Sequence, residues 1–430
     1  MTNTEIQELI SLIKQEVIPA IGCTEPIAVS LCVAKATETL GCLPDSIEVV
    51  LSANVLKNAM GVGIPGTGMI GLPIAISLGA IGGKSEYMLE VLKDCDTEKV
   101  EAAKKYIDNN TIIISQKTNI TEKLYIEAVC KKDNSKARVI IAGGHTNFVF
   151  IQKDDNIILD TKYNFNKEEE DEEETTLSLR RVYDFATTAP LEDIRFILDT
   201  AKLNRKAAEA SFNNKFGHSI GLMMRNQTER SIFGNSTYSK IISYTSGACD
   251  ARMAGAMVPV MSNSGSGNQG ISATMPVVVY AEENGSTEEQ LIRALVLSHL
   301  TVIYIKQSLG RLSALCGCVV SASGSSCGIV LLMGGGYDEV ALAVKNMVAT
   351  LTGMLCDGAK PSCSMKVATG ASTALLSAVM AMEQKGATSV EGIIDEDVDQ
   401  CIRNLTKIGS KSMNETDKTV LNIMTSKNKK

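Results

Sequence analysis

Hydrophobic and polar positions change rhythm part way along this chain. At the start, Ile6, Leu9, Ile10 and Ile13 recur every three to four residues among polar neighbours, which predicts an amphipathic helix over residues 1–14. A second helical stretch covers 26–40. Short apolar, largely β-branched runs then take over: SIEVVL at 46–51, TIIIS at 111–115, and further runs at 124–130, 137–142 and 148–152, each predicting a strand. The last four lie close in sequence and are joined by short polar turns such as Lys132-Asp133-Asn134, so a small antiparallel sheet with helices on one side is expected. From about Leu177 onward apolar positions recur with helical spacing around 190–212, 228–260, 287–310, 337–355 and 364–384, with no comparable strand run.

The fold class that follows is α+β: an N-terminal mixed α/β region with a small antiparallel sheet, then a mainly helical C-terminal domain. Seven consecutive acidic residues at 168–174 mark the boundary, so the expected domains are 1–165 and 175–430. Three long uncharged runs, 58–83, 253–281 and 312–337, exceed the roughly 20 residues of a membrane span. Glycine, serine, asparagine or proline interrupts each of them, which fits buried helices and backbone-lined loops better than membrane insertion.

Composition sharpens this picture. Aromatic residues are 4% with no tryptophan, against 34 glycines and 18 methionines, so the core must be small and aliphatic and its helices closely packed. A net charge of -7 with few stacking aromatics argues against nucleic acid as a partner. The N-terminal stretch lacks a basic segment followed by an apolar one, so no secretory signal is read there and a cytoplasmic location is expected.

Cysteine carries the first chemical signal. Of twelve cysteines, Cys316, Cys318, Cys327, Cys356 and Cys363 crowd into one short region. Cys356 and Cys363 frame CDGAKPSC, where Gly358 and Pro361 enforce a turn that can bring both thiols to one point. Without a CxxC pair a structural zinc site is disfavoured, and soft thiolates without imidazole suit an iron–sulfur cluster. The alternative is that these are small buried hydrophobes. Cys23 stands apart, in GCTEP at a helix start, with Thr24 suited to cap and Pro26 to the first turn. There the helix dipole favours a thiolate, making Cys23 a candidate base or nucleophile, or else an inward-packed cap residue.

Several polar loops could meet a substrate. GVGIPG at 61–66 matches GxGxxG in spacing but lacks the preceding strand of a dinucleotide site. SNSGSGNQG at 262–270 offers backbone N–H groups ahead of an apolar helix, which suits a small carboxylate. Ser52-Ala53-Asn54 with Lys57 and Asn58, and GGHTN at 143–147, are further candidates, although each alone also reads as a turn.

Taken together, GCTEP, KNAMGVGIPGTG at 57–68, GGHTN, the SGSGNQG loop, LSALCGC and CDGAKPSC resemble the L-cysteine desulfidase family, a relative of the iron–sulfur L-serine dehydratases of alpha-chain type. The resemblance runs collinearly from residue 23 to about 370. It implies a carbon–sulfur lyase that converts L-cysteine and water into pyruvate, ammonia and hydrogen sulfide, with one oxygen-sensitive 4Fe-4S cluster per subunit and no pyridoxal phosphate. Carried onto this chain, the ligands are Cys356, Cys363 and Cys316, with Cys318 in reserve because CGC leaves two choices, and the base is Cys23. Three thiolates leave one iron open to act as a Lewis acid on the leaving group. Residue type and motif membership assign substrate binding to Asn54, Lys57, His145, Asn147, Asn263, Ser264, Gly265 and Asn268. Alternatives remain: an L-serine dehydratase using the same cluster, a non-catalytic iron–sulfur sensor or small-molecule binding protein, and a pyridoxal-phosphate lyase, for which no lysine stands out. The expected partner is a small amino acid, with no nucleic acid or membrane, and the oligomeric state, homo-oligomer included, is left open.

Overall fold

A chain whose apolar positions alternate first with period two and then with helical period has to bury two kinds of surface, and it does so in two units. The structure, a computed structural model, describes residues 1–166, 177–226, 231–310 and 313–427, so the acidic run at 168–174 lies outside the described residues. In chain order the first half holds α1 (Asn3–Glu16), β1 (Pro19–Ala20), α2 (Thr24–Leu40), β2 (Ser46–Leu51), α3 (Ala53–Ala59), α4 (Leu72–Ile81), α5 (Thr97–Asn109), β3 (Thr111–Gln116), β4 (Tyr125–Lys132), β5 (Ser135–Ala142), β6 (Phe148–Lys153) and β7 (Asn156–Asp160). There follow α6 (Leu179–Thr188), α7 (Leu191–Ile194), α8 (Leu198–Phe212), α9 (Ile220–Met223), α10 (Thr237–Met253), β8 (Val260–Met261), α11 (Gly267–Glu283), α12 (Glu288–Leu309), α13 (Gly317–Leu332), α14 (Tyr337–Leu351), α15 (Cys363–Met382), α16 (Val398–Lys407) and α17 (Asn414–Ser426).

The sheet unit comprises Gly22–Asp171 with Gly358–Lys360 and Leu421–Lys430. Its six strands run in the order β3-β2-β4-β5-β6-β7. Ile47, Val49 and Leu51 of β2, Ile126, Ala128 and Cys130 of β4, and Ala137, Val139 and Ile141 of β5 are buried on one face, in one core with Leu31, Val33 and the apolar residues of α4. The sheet is larger and less uniform than expected. β2 and β3 are parallel, because α3, α4 and α5 intervene and supply the long crossover that a parallel pair requires. The extra strand, β7, pairs only with β6 at the sheet edge, and its Ile157 and Ile158 are exposed, so no buried alternation announces it.

The helical unit comprises Met1–Ile21, Glu172–Asp357 and Pro361–Val420. The division is therefore not the contiguous one expected from composition. α1 buries Leu9, Ile10 and Ile13, and the strand after it pairs with β8 through Pro19↔Met261, tying the N-terminus to the helical unit. Periodicity shows which face of a helix is apolar; the partner of that face is a tertiary choice. α4 and α13 lie within the uncharged runs, as does α11 up to Ala281, and each is buried almost all round there. Glycine permits the closest approach: a Cβ at Gly324 of α13 would lie 2.4 Å from the Ser298 carbonyl oxygen of α12. Among the described residues one helix, α15, is long and apolar enough to cross a membrane by length and composition, and 44% of its apolar window is buried within the protein.

Candidate active site

In the sheet unit, β2 ends at Leu51 and delivers Ser52, whose N–H donates to the Tyr125 carbonyl (2.9 Å) and whose hydroxyl donates to the Lys123 carbonyl (2.7 Å). This anchors α3, which carries half-buried Asn54 and buried Lys57. The GGHTN turn lies at the same end of the sheet, since Tyr125 opposes Ala142 at the end of β5. Gly143 has φ +72°, and a Cβ there would meet the Tyr163 hydroxyl, so the turn tolerates only glycine. Asn147 is engaged in closing it: its Nδ2 donates to the Ala142 carbonyl (2.9 Å). His145 sits half-buried in the loop, and Asn147 is exposed.

α2 starts beside this region. Gly22 has φ +69° and packs so tightly on Pro65 that a Cβ would lie 2.6 Å from its Cγ, which joins the GCTEP and GVGIPG segments. Cys23 is the N-cap residue of α2 and is buried. Its thiol donates to Glu25 Oε2 at 2.8 Å. Thr24 does not cap the helix; its hydroxyl donates to the same oxygen at 3.2 Å, and Asn58 Nδ2 donates to Glu25 Oε1 at 3.1 Å. The acidic partner of Cys23 is thus two residues along in the same motif. The sequence placed Glu25 in view, but the period of a helix gives no reason to pair positions two apart, and only the turn into α2 brings them together. Gly358 and Lys360 belong to this unit as well. A Cβ at Gly358 (φ +89°) would lie 2.1 Å from the Lys57 carbonyl oxygen, and one at Gly61 would meet the Lys360 side chain at 3.1 Å.

The helical unit gathers the other cysteines. An antiparallel bridge pairs Leu315 with Leu355, held by Cys316 N–H to Met354 O (2.9 Å) and Cys356 N–H to Ala314 O (2.6 Å). Because side chains alternate along extended chain, Cys316 and Cys356 are diagonal neighbours on the face opposite the two leucines. Cys316 is the N-cap residue of α13 and Cys363 the first residue of α15, so each stands at the positive end of a helix dipole. The sulfurs of Cys316 and Cys318 are in hydrogen-bond contact at 3.4 Å, and hydrogen bonding with Cys318, aided by the Lys366 ammonium against the cost of burial, brings Cys316 down to about 7. Cys318 itself, pressed against Met354 Sδ (3.1 Å), is pushed well up by the same bond and by burial. Lys366 donates to Asp357 (2.5 Å) and to the Leu355 carbonyl (2.8 Å). Burial pulls its ammonium down, but the Asp357 bond and the charges of Cys316 and Cys363 outweigh that and hold it above the ordinary value.

Among the described residues no three His, Cys, Asp or Glu side chains converge as ligands of a single metal ion. An iron–sulfur cluster makes a different demand, since each cysteine binds its own iron and the sulfurs stand apart. Diagonal placement, two helix N-termini and a half-buried lysine counter-charge fit three thiolates holding such a cluster. Cys327, by contrast, is buried within α13, donates to the Ser323 carbonyl, and burial pushes it up to about 12, as for an inert core thiol.

The SGSGNQG loop is more structural than expected. Asn263 is fully buried, its Nδ2 shared between His299 Nδ1 (3.0 Å) and the His299 carbonyl (3.1 Å), while Ser264 donates to its Oδ1 (2.8 Å). Burial lowers His299 to about 3, so the ring is neutral. Gly265 (φ +78°) is the exposed tip of the turn. Asn268 faces α10, where its Oδ1 accepts from Cys249 (3.4 Å) and its Nδ2 approaches Met253 Sδ (3.3 Å). Burial first, then the charges of Cys363 and Cys316 among others, raise the Cys249 thiol, so Asn268 reaches the neighbourhood of Cys363 and Cys316 while Asn263 shapes the loop. Asp250, next to Cys249, accepts from Gly221 N–H (3.1 Å) and feels the charge of His218, a histidine distant in sequence from the cysteine cluster.

Comparison with known proteins adds the following. Residues 86–422 match the family described as serine dehydratase alpha chain. Over 427 residues the chain is 69% identical to a UPF0597 protein of Bacteroides fragilis, covering 99% of this chain and 100% of the relative. A UPF0597 protein of Bacteroides thetaiotaomicron is 68% identical over 427 residues (99% of each chain), and one of Oleidesulfovibrio alaskensis 43% over 427 residues (99% and 100%). The family match includes the cysteines of the helical unit and begins after Cys23 and Glu25.

Proposed function

Because this chain belongs to the serine dehydratase alpha-chain family, we propose that it is a lyase acting on a small β-substituted amino acid, with L-cysteine as substrate and pyruvate, ammonia and hydrogen sulfide as products. The observation that carries the reading is the Leu315–Leu355 bridge, which sets Cys316 and Cys356 on one face next to Lys366. Cys316, Cys356 and Cys363 would hold a 4Fe-4S cluster, one per subunit; Cys318, buried against Met354, is its hydrogen-bonding neighbour. Such a cluster with one iron not bound by protein supplies a Lewis acid for the departing group.

The chain's own residues supply the proton chemistry. Glu25 accepts the Cys23 proton across 2.8 Å and is oriented by Asn58, so Cys23 can act as a thiolate base toward the substrate α-proton. Loss of that proton and of hydrosulfide leaves aminoacrylate, whose imine tautomer takes up water to give pyruvate and ammonia. The substrate is a small amino acid, and reduced thiols fit a cytoplasmic enzyme: no disulfide joins any of the twelve cysteines. The preference for sulfur over oxygen rests on the GCTEP and CDGAKPSC resemblance. L-Serine dehydration is the second reading, favoured by the family's name.

Anaerobic purification with iron and labile-sulfide analysis, followed by sulfide and pyruvate assays on L-cysteine and L-serine, tests both. Equal sulfide and pyruvate from L-cysteine is the expected result. Pyruvate from L-serine alone would move the assignment to the dehydratase, and a cluster-loaded protein inactive on both would overturn the lyase.

A further inference from the structure

Among the described residues four buried side-chain atoms of the helical unit have no hydrogen-bond partner, Asp250 Oδ1, Arg252 Nε, Gln269 Oε1 and Ser272 Oγ, and two of these side chains, Arg252 and Gln269, face each other's neighbourhood around the opening turn of α11. Arg252, near the C-terminal end of α10, is 5% exposed, and among the described residues its side chain makes no ion pair or hydrogen bond; Nε is fully enclosed without a partner. Gln269, in the first turn of α11, is equally buried, and its Oε1 is likewise enclosed without a partner. Burying a charge or an amide without partners is costly, so a native fold that keeps both has a ligand to match them.

Their surroundings locate that ligand. A Cβ at Gly267 would lie 2.3 Å from Arg252 Nε, so the opening turn of α11 is closed over the guanidinium. A Cβ at Gly317, the residue after Cys316, would lie 3.0 Å from Gln269 Cδ, so the amide stands against the N-terminus of α13. Cys249, one turn before Arg252 on α10, is raised chiefly by burial and is acted on by the charges of Arg252, Cys363 and Cys316. Both groups therefore border the cluster cysteines.

Arginine alone would suit any anion, the cluster thiolates included. The unpartnered acceptor Gln269 Oε1 changes the answer, because a bare anion would leave it unmatched. An α-amino acid presents both complements, a planar carboxylate for the guanidinium and an ammonium donor for the amide oxygen. We propose that Arg252 and Gln269 form the cradle for the α-carboxylate and α-ammonium of the amino-acid substrate, beside Cys316 and Cys363. This rests on the lyase reading above and names the substrate-positioning residues within it.

The test is anaerobic calorimetric titration of the cluster-loaded protein with L-alanine, which carries both groups and no leaving group, and with ethylamine, which lacks the carboxylate. Losing a charge-assisted hydrogen bond is expected to weaken L-alanine about 10-fold or more in Arg252→Gln. Arg252→Lys should recover part of it, with ethylamine equally weak throughout and iron and labile sulfide at wild-type content. Unchanged L-alanine binding in Arg252→Gln would overturn the cradle, and so would loss of iron, which would make Arg252 a counter-charge for the cluster. Should Arg252→Gln not fold, Gly267→Ala, whose methyl displaces the guanidinium, must weaken L-alanine in the same way; wild-type binding there overturns the proposal. A wild-type protein that turns over L-cysteine without binding L-alanine also overturns it. One that binds L-alanine through Arg252 yet eliminates nothing from L-cysteine or L-serine would overturn the lyase and leave the cradle standing.

Discussion

At the scale of single residues, the informative contact is Cys23 to Glu25. If Glu25 draws the thiol proton, Glu25→Gln lowers kcat about 100-fold, within the range of general-base effects, while iron content stays at wild type. A kcat within a few-fold of wild type in a loaded variant would remove Glu25 from the proton path. Cys23 itself was legible, because a thiol in GCTEP at a helix start is conspicuous; Glu25 was printed beside it, but its role depends on side-chain direction. His299 gives a second residue-scale prediction. Burial lowers it from 6.5 to about 3 in the folded protein, so between those values the unfolded chain binds a proton that the folded chain does not. Stability is therefore flat above pH 6.5 and falls as pH drops below it, by about 1.4 kcal/mol per unit from this group. Denaturant titrations at pH 7.0 and 5.5 should show the drop, and His299→Gln should lessen it; an identical slope in the variant would assign the acid sensitivity elsewhere.

At the scale of elements, glycines mark where backbone approaches backbone. Gly358 is held at φ +89° with the Lys57 carbonyl where a Cβ would stand, so Gly358→Ala combines left-handed strain with a backbone clash. The expected loss is about 1–3 kcal/mol of stability in chemical denaturation, the cost of a residue forced into a sparsely populated conformation. Wild-type stability in that variant would mean that the CDGAKPSC turn rearranges at little cost. The turn between Cys356 and Cys363 was foreseen from Gly358 and Pro361, and the pairing of its Cys356 arm with the Leu315 segment was not, because the Leu315–Leu355 bridge joins segments about 40 residues apart through backbone hydrogen bonds. β7 and the parallel β2–β3 pair escaped for a related reason: pairing partners are set by neighbours in space, and an exposed edge strand carries no buried alternation.

At the scale of the whole molecule, the cluster reading predicts which cysteines matter. Cys316→Ala, Cys356→Ala and Cys363→Ala should each abolish or greatly lower iron incorporation in anaerobically purified protein, whereas Cys327→Ala should leave it intact, since that thiol is enclosed within α13. Cluster loss in Cys318→Ala with Cys316→Ala still loaded would reverse the choice within CGC. The sequence by itself determined five strands of the sheet and the longer periodic helices, because helical and strand periodicities depend on local order along the chain, and it picked out Cys23, Cys356 and Cys363, because a thiol at a helix start and thiols framing a glycine–proline turn are local features. Only the tertiary structure decided that α1 joins the helical unit, that Asn263 and Asn147 serve their own loops, and that Arg252 and Gln269 are enclosed beside the cysteines. Those outcomes turn on burial and on which groups satisfy one another's hydrogen bonds, properties of contacts between residues far apart in sequence that no local pattern encodes.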